Sequence, residues 1–411
     1  MTRILNVYLN DSLVGELEQD LSGMMSFKYA IDWLNNPNSI PISYSLPLRE
    51  DAYKKNECRG FFAGILPEDK KREIIAKNLG ISSGNDYAML ERIGGECAGA
   101  ITFLPSNYQL PEQSCEYLIL SNAELVGIIK ELPKRPLMAG ERGVRLSLAG
   151  AQDKIVVTIE NNIIKLPLNG APSTHIIKPV ISDFRDIVYN EAFCLQAAKA
   201  VGLPVANTSI MSIQDVEFLI IERYDRYITP DNKIARIHQE DFCQALGISP
   251  EMKYQSEGGP SLKKCFELIR KVSSLPIFDV RHLLDVVIFN YLIGNNDAHR
   301  KNFSLLYFTE GKKLQIRLAP FYDLISTSVY PELSNHMAMK IGEHAEYNKI
   351  TPRDWEKFAI SSGFAPAMVK GRIKDLAQNL YKHIDKYRKN DKVLKVIDLI
   401  EERCKKTLEW P

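Results

Sequence analysis

The chain lacks an excess of charge, paired cysteines, long apolar runs and repeats, and each absence removes a class of protein. With 52 Lys and Arg against 51 Asp and Glu, the formal net charge is +1. Nothing global therefore draws it to nucleic acid or a membrane surface, and such a partner would need a local patch. The cysteines Cys58, Cys97, Cys115, Cys194, Cys243, Cys265 and Cys404 are odd in number, scattered and free of C-x-x-C spacing. That pattern reads as reduced core thiols rather than a disulfide framework or zinc site. No stretch reaches about 18 apolar residues, and the opening MTRILNVYLND turns polar too soon for a signal peptide. A cytoplasmic chain with no membrane span is expected. Low-complexity tracts are absent too, as are the two familiar phosphate-loop spellings, G-x-x-x-x-G-K-[ST] and G-x-G-x-x-G.

What is present is an ordinary globular composition, 45% hydrophobic and 25% charged over 411 residues, enough for two or three domains. Alternating apolar positions predict a hairpin over 3–18 around Asn10-Asp11, and helical spacing predicts a helix over 69–81 stopped by Gly80. A strand closes this region near residue 105. A proline-bearing polar segment with one helix near 121–132 follows. Next comes a β-rich block: a hairpin around Asn161-Asn162, the strand THIIKPV, an apolar-faced helix over 187–202, and the strand EFLIIERYD. From about 240 the pattern turns helical, ending in one long amphipathic run over 366–408. A strand-rich part followed by a helical part suggests two lobes.

The chemistry concentrates in a few short stretches. In GNNDAHRKNFS, Asp297 precedes Asn302 by five residues, the separation found in the catalytic loop of protein kinases. Phosphoryl transfer needs a carboxylate to orient the attacking hydroxyl and hard oxygen ligands for magnesium. Asp323, in APFYDLIS, stands where the later metal-binding aspartate of a kinase would. Taken alone, Asp-x4-Asn also fits a polar turn after an apolar helix. Lys178 ends the strand HIIK, as a phosphate-pairing lysine would, although a solvated strand cap reads the same way. Glu191, in the next helix, suits an ion-pair partner for Lys178 or a favourable charge near the helix start. Glu222 to Tyr224 could offer backbone groups to an adenine edge, or simply end a strand. His299 follows Asp297 without a second histidine at metal-ligand spacing, so it is assigned an orienting or packing role. Upstream, RLSLAGAQDK places small residues where backbone N–H groups would approach phosphates, with Ala149, Gly150 and Ala151 followed by Gln152, Asp153 and Lys154.

In this order, the segments LNVYLNDSLVGEL, FFAGILPE, ERIGGECAGAI, LSLAGAQDK, THIIKP, NEAFCLQAAKAVGLPV, IERYDR, QEDFCQALG, KYQSEGGP, IGNNDAHRKNFS and LAPFYDLIS resemble the HipA kinases, the toxin halves of bacterial toxin–antitoxin pairs, over almost the whole length. The resemblance implies an α+β, two-lobed kinase-like fold with an added N-terminal α+β subdomain. Its expected divisions are 1–105, a connecting segment 106–140, a β-rich lobe 141–240 and a helical lobe 241–411. It also implies an ATP- and Mg-dependent protein serine/threonine kinase. Carried over by motif, 149–154 cover the phosphates, Lys178 contacts them, Glu222 and Tyr224 lie at the adenine hinge, and His299 borders the nucleotide. Asp297 is the catalytic group, Asn302 and Asp323 hold magnesium, and Ser147 is an autophosphorylation site that shuts the enzyme off. The implied partners are a helix-turn-helix antitoxin, operator DNA through that complex, and a protein substrate such as an aminoacyl-tRNA synthetase, notably the glutamate enzyme. One departure is NNDAHRKN, bulkier than the form with Gly after Asp. The competing readings are a small-molecule phosphotransferase of the aminoglycoside or choline kinase type and a non-catalytic co-repressor. The basic C-terminal stretch 370–411, with 12 Lys and Arg against 7 Asp and Glu, fits an accessory DNA role or a solvated helix face.

Overall fold

Residues 2–108, 116–181, 183–310 and 313–410 are described by a computed structural model. The expected opening hairpin is β1 (Arg3–Leu9) and β2 (Ser12–Gln19), with Asn10 in the left-handed turn conformation that asparagine tolerates. It joins β3 (Met25–Tyr29), β4 (Tyr53–Lys54) and β5 (Ile101–Pro105) in a sheet of order β4-β3-β2-β1-β5. Helices α1 (Ile31–Asn35), α2 (Lys55–Gly64), α3 (Asp69–Leu79) and α4 (Asp86–Ile93) accompany it. As predicted, Gly80 ends α3, at φ 66.

A second, six-stranded sheet follows. Its strands are β6 (Glu116–Ile119), β7 (Ile155–Glu160), β8 (Ile163–Leu168), β9 (His175–Pro179), β10 (Thr208–Ile213) and β11 (Val216–Glu222), in the order β10-β11-β9-β7-β8-β6. The expected connecting helix is α5 (Asn122–Glu131), closed at its start by a Ser121–Glu124 capping box. Part of the connecting segment, 109–115 with Pro111 and Cys115, lies outside the described residues. Buried side chains of both sheets form one core, running from Leu5 and Phe27 through Phe103 and Leu146 to Ile177 and Phe218. Two short ladders complete the β structure here: β12 (Arg226–Ile228) with β13 (Ile234–Arg236), and β14 (His238–Asp241) with β15 (Ser304–Glu310) and β16 (Lys313–Leu318). Helix α7 (Phe242–Ala245) follows β14.

The helical part comprises α6 (Ile187–Ala200), α8 (Leu262–Val272), α9 (Pro276–Ile293), α10 (Pro352–Ser361), α11 (Pro366–Ile384) and α12 (Leu394–Leu408), with a small hairpin of β17 (His336–Ile341) and β18 (His344–Glu346). Three expectations need correcting. The region beyond 240 is interrupted by the β15–β16 and β17–β18 hairpins. The run over 366–408 is two helices, broken at 385–393 where Asn390 caps a short turn through the Lys392 N–H. Strand β10, polar at three of its six positions, precedes EFLIIERYD and adds a strand to the expected block.

The chain forms two compact units, each assembled from three segments. The first is Met1–Pro179, Met211–Pro250 and Leu305–Gln315; the second is Val180–Ile210, Glu251–Ser304 and Ile316–Pro411. The six cysteines among the described residues are free and buried, and among those residues no helix is long and apolar enough to cross a membrane.

One buried acid in the first unit makes a measurable prediction. Glu240 is fully buried and accepts hydrogen bonds from Ser43 Oγ at 2.5 Å, the Tyr44 N–H at 2.9 Å and the Tyr307 hydroxyl. Burial outweighs these donors and pushes its carboxyl from 4.5 up to about 7. A raised folded-state value means that its stability contribution is full below its ordinary value and is lost as pH rises through about 7. Between pH 5 and 8.5 the protein should lose stability of order 3 kcal/mol from this group. Glu240→Gln should remove that slope in denaturant melts, and a variant retaining the full wild-type slope would show that Glu240 is not its source.

Candidate functional site

In the first unit, the loop 145–154 is pinned at both ends. The Ser147 N–H donates to the Glu96 carbonyl at 2.9 Å, and the Glu96 N–H donates to the Arg145 carbonyl at 2.8 Å, so the chain bridges to Glu96 like a short parallel strand. Ser147 is fully buried, its hydroxyl donating to the Ile65 carbonyl at 3.1 Å. Further along, Gly150 bridges Pro67 and sits at φ 104. Its place is dictated twice: the backbone conformation excludes most side chains, and a Cβ would lie 2.7 Å from Lys154 Nζ. That ammonium donates to the Ala149 carbonyl at 2.7 Å and closes the loop on itself. Asp153 is held by Lys71 at 2.6 Å. Ala151 is exposed and Gln152 half-buried.

Lys178 is buried within β9, in register with Leu219 of β11, rather than a solvated strand cap. Strand β11 ends at Glu222, opposite His175, with Glu222 exposed. Tyr224 follows, half-buried, its hydroxyl donating to Gln239 at 2.7 Å. Its neighbours hold a cluster invisible in the sequence. Arg223 and Arg226 both donate to Glu96 Oε1, at 3.0 and 2.9 Å, and Arg236 donates to Oε2 at 2.8 Å. Arg223 also pairs with Asp225 at 2.8 Å, which takes the Gly99 N–H at 2.7 Å. Burial alone would raise the Glu96 carboxyl, but Arg226, Arg236 and Arg223 together hold it down at about 2.

In the second unit, α9 ends at Gly294, φ 73, and the following turn carries the Asp-x4-Asn motif. Asp297 is exposed, and its carboxylate accepts the Tyr254 hydroxyl at 2.6 Å. The Asn302 amide nitrogen donates to the Asp297 carbonyl at 3.0 Å, which leaves the amide oxygen as the atom available to a cation. Asn295 ties this turn to the later aspartate, accepting the Asp297 N–H at 3.2 Å and donating to the Asp323 carbonyl at 3.3 Å. Asp323 itself sits at φ 56, a conformation that aspartate tolerates better than most residues. The segment after it is clasped by Asn190 of α6, which exchanges two bonds of 2.9 Å with the Ser326 backbone. Glu191, next to Asn190, is buried at the fifth position of α6, beyond the first turn. His299 is buried with its ring edge-on to Tyr254, centroids 5.4 Å apart. Asn302 and Asp323, an amide and a carboxylate of the kind magnesium prefers, thus sit on turns whose backbones Asn295 connects.

The structure places Ser147, 149–154, Lys178, Glu222 and Tyr224 in the first unit, and Glu191, Asp297, His299, Asn302 and Asp323 in the second. The sequence reading missed Glu96, Asn190, Tyr254 and Asn295. Only Glu96, a charged residue in the glycine-rich run ERIGGECAGAI, left a local signal.

A sheet carrying a backbone-lined loop and a buried lysine, followed by Asp-x4-Asn and a later Asp on a helical framework, defines a kinase-like fold. Residues 5–104 match the HipA N-terminal domain and residues 146–384 match the HipA-like C-terminal domain. The chain is 46% identical over 383 residues to a Sinorhizobium fredii protein named "Putative kinase Y4mE", covering 92% of this chain and 90% of that one. It is 30% identical over 362 residues to the serine/threonine-protein kinase toxin HipA of Shewanella oneidensis, covering 85% and 81%. The solved complex of Shewanella oneidensis HipA, HipB and operator DNA superposes with a TM-score of 0.86 at 27% identity, covering 99% of this chain and 98% of that one. The chain belongs to the HipA family, and its fold is the HipA kinase fold.

Proposed function

We propose that this protein is an ATP- and Mg-dependent protein serine/threonine kinase acting as the toxin of a toxin–antitoxin pair. The observation that carries the reading is the Asp297 turn. The exposed Asp297 carboxylate accepts the Tyr254 hydroxyl, Asn302 is hydrogen-bonded to the Asp297 backbone, and Asn295 links the backbones of Asp297 and Asp323. In this reading Asp297 takes up the hydroxyl proton of the substrate serine or threonine and aims its oxygen. Asn302 and Asp323 would hold magnesium, which supplies charge neutralisation at the phosphates. The 149–154 N–H groups and Lys178 would hold the phosphates, and the backbone at Glu222 and Tyr224 would meet the adenine. His299 would hold the turn in shape. The expected lobes are 141–240 and 241–411, with 1–105 as an accessory subdomain. Phosphorylation of a cellular protein, such as an aminoacyl-tRNA synthetase of the glutamate type, would block translation, and phosphate on Ser147 would end activity. Phosphoproteomics of cells expressing wild-type chain against Asp297→Asn tests the reading, and phosphosites identical in both would reject it.

A HipB-type antitoxin is the proposed partner, since the Shewanella relative is solved with HipB and operator DNA. Co-expression with the antitoxin should yield a stable complex that binds operator DNA. The isolated chain, with net charge +1, should bind the same DNA at least about 100-fold more weakly at physiological salt. Electrophoretic mobility shift would check this, and tight specific binding by the chain alone would contradict it.

A further inference from the structure

We propose that Glu96, in the N-terminal domain, is a positioning residue of the nucleotide site, coupling the 145–154 loop to the 222–226 segment. The inference rests on the kinase reading above. Glu96 faces both segments with different atoms. Its backbone N–H and carbonyl pair with Arg145 and Ser147 and fix where the loop starts. Its carboxylate takes Arg223 and Arg226, the residues that flank Tyr224 and Asp225, together with Ser173 at 2.8 Å and Arg236. The neighbouring residues repeat the pattern. The Cys97 carbonyl accepts from Arg223 and Arg226 at 2.9 Å each, and the Gly99 N–H reaches Asp225. Gln239 joins Asp225 to the Tyr224 hydroxyl.

One stretch of the N-terminal domain, 96–99, thus sets the spacing between the proposed phosphate end and the proposed adenine end of the nucleotide. A buried cluster of three guanidiniums and two carboxylates is a poor way to gain stability, because apolar residues of like volume do as well. Its charges are directional, however: two of the guanidiniums on the Glu96 carboxylate, Arg223 and Arg226, belong to the 222–226 segment, while the Glu96 backbone holds the loop. Anything that shifts the N-terminal domain against the six-stranded sheet would therefore alter nucleotide affinity.

The test uses the full chain. Mg-ATP affinity is measured by calorimetry, and hydrogen exchange is followed over 145–154 and 222–226, for wild type, Glu96→Gln and a control, Leu17→Ala. Leu17 is buried in β2, in the same domain. Glu96→Gln should weaken Mg-ATP binding by about tenfold or more and speed exchange in both segments together. Leu17→Ala, with a comparable fall in melting temperature, should leave affinity within about twofold. A folded Glu96→Gln protein with wild-type affinity and unchanged exchange would overturn the proposal. Should that variant not fold, Arg236→Gln decides, since this arginine is the most exposed of the three at 14%. A loss of about two- to fivefold supports the coupling and no loss rejects it. Wild type failing to bind Mg-ATP would reject the kinase reading instead, and the paired exchange response would still decide the coupling.

Discussion

Asp297→Asn is expected to lower phosphotransfer turnover by about 10³-fold while leaving Mg-ATP affinity nearly intact. The substitution keeps the shape of the turn. The Asn302 amide bonds the backbone carbonyl of residue 297 rather than its side chain, and Asn295 bonds its N–H. An asparagine oxygen can still accept from the Tyr254 hydroxyl. What disappears is a carboxylate able to take a proton and to aim the incoming hydroxyl. The transferred phosphoryl, stabilised by cation and positioning, binds as before. Single-turnover transfer from labelled ATP, run beside calorimetry, separates the two effects. Near-wild-type turnover in the variant would remove Asp297 from the chemistry, and equal losses of turnover and affinity would point to a disordered turn.

The second large effect is expected at Ser147. Its hydroxyl is fully buried against the Ile65 carbonyl, and its N–H is committed to Glu96. A phosphate bringing about −1.5 to −2 charges cannot remain there. The cations of its own loop are already engaged: Arg145 donates to the Glu91 and Phe103 carbonyls, and Lys154 to Ala149. Phosphorylation should therefore pull 145–150 away from Glu96 and Pro67 and dismantle the N–H array. If the closed loop falls to about 1% of molecules, apparent Mg-ATP affinity falls about 100-fold. Calorimetry on phosphorylated and unphosphorylated wild-type protein, separated by charge and checked by intact mass, measures the difference. Equal affinities would leave the loop as a plain cradle without a switch. Ser147→Ala is a weaker probe, because it also deletes the bond to Ile65.

Much of this architecture was legible because its signals are local. The opening hairpin, the Gly80 stop, the Asn161-Asn162 hairpin and the 187–202 helix each follow from a period and a turn residue within a dozen positions. The errors have local causes as well. The break inside 366–408 uses neither Gly nor Pro, only the polar stretch DKYRKNDKV. The hairpins after Ser304 lie in a region read as mainly helical, where no strand was singled out. For the site, the loop, Asp-x4-Asn and the later Asp were visible as short strings. The residues that arrange them were not, since each acts at long range. Asn295 reaches Asp323 across 28 positions, Tyr254 reaches Asp297 across 43, Glu96 meets Arg223 across 127 and Asn190 meets Ser326 across 136. Nothing in a string records those pairings. Burial was equally hidden: nothing in the string decides between a solvated cap and a phosphate-pairing role for Lys178, or shows that Ser147 is enclosed.

The division into two units of three segments each means that the chain passes between them five times, the last at residue 315. On the ribosome, this gives folding a late deadline. When residue 250 emerges, the first unit has its two sheets, but β14 still lacks β15 as a neighbour. The second unit then holds only α6 and its flanks. Neither unit can close before about three-quarters of the protein has been made, and the nascent chain must keep β14 and α6 exposed while the α8–α9 stretch is synthesised. Fragments cut at any earlier point should be captured by chaperones or degraded rather than accumulate as stable half-proteins.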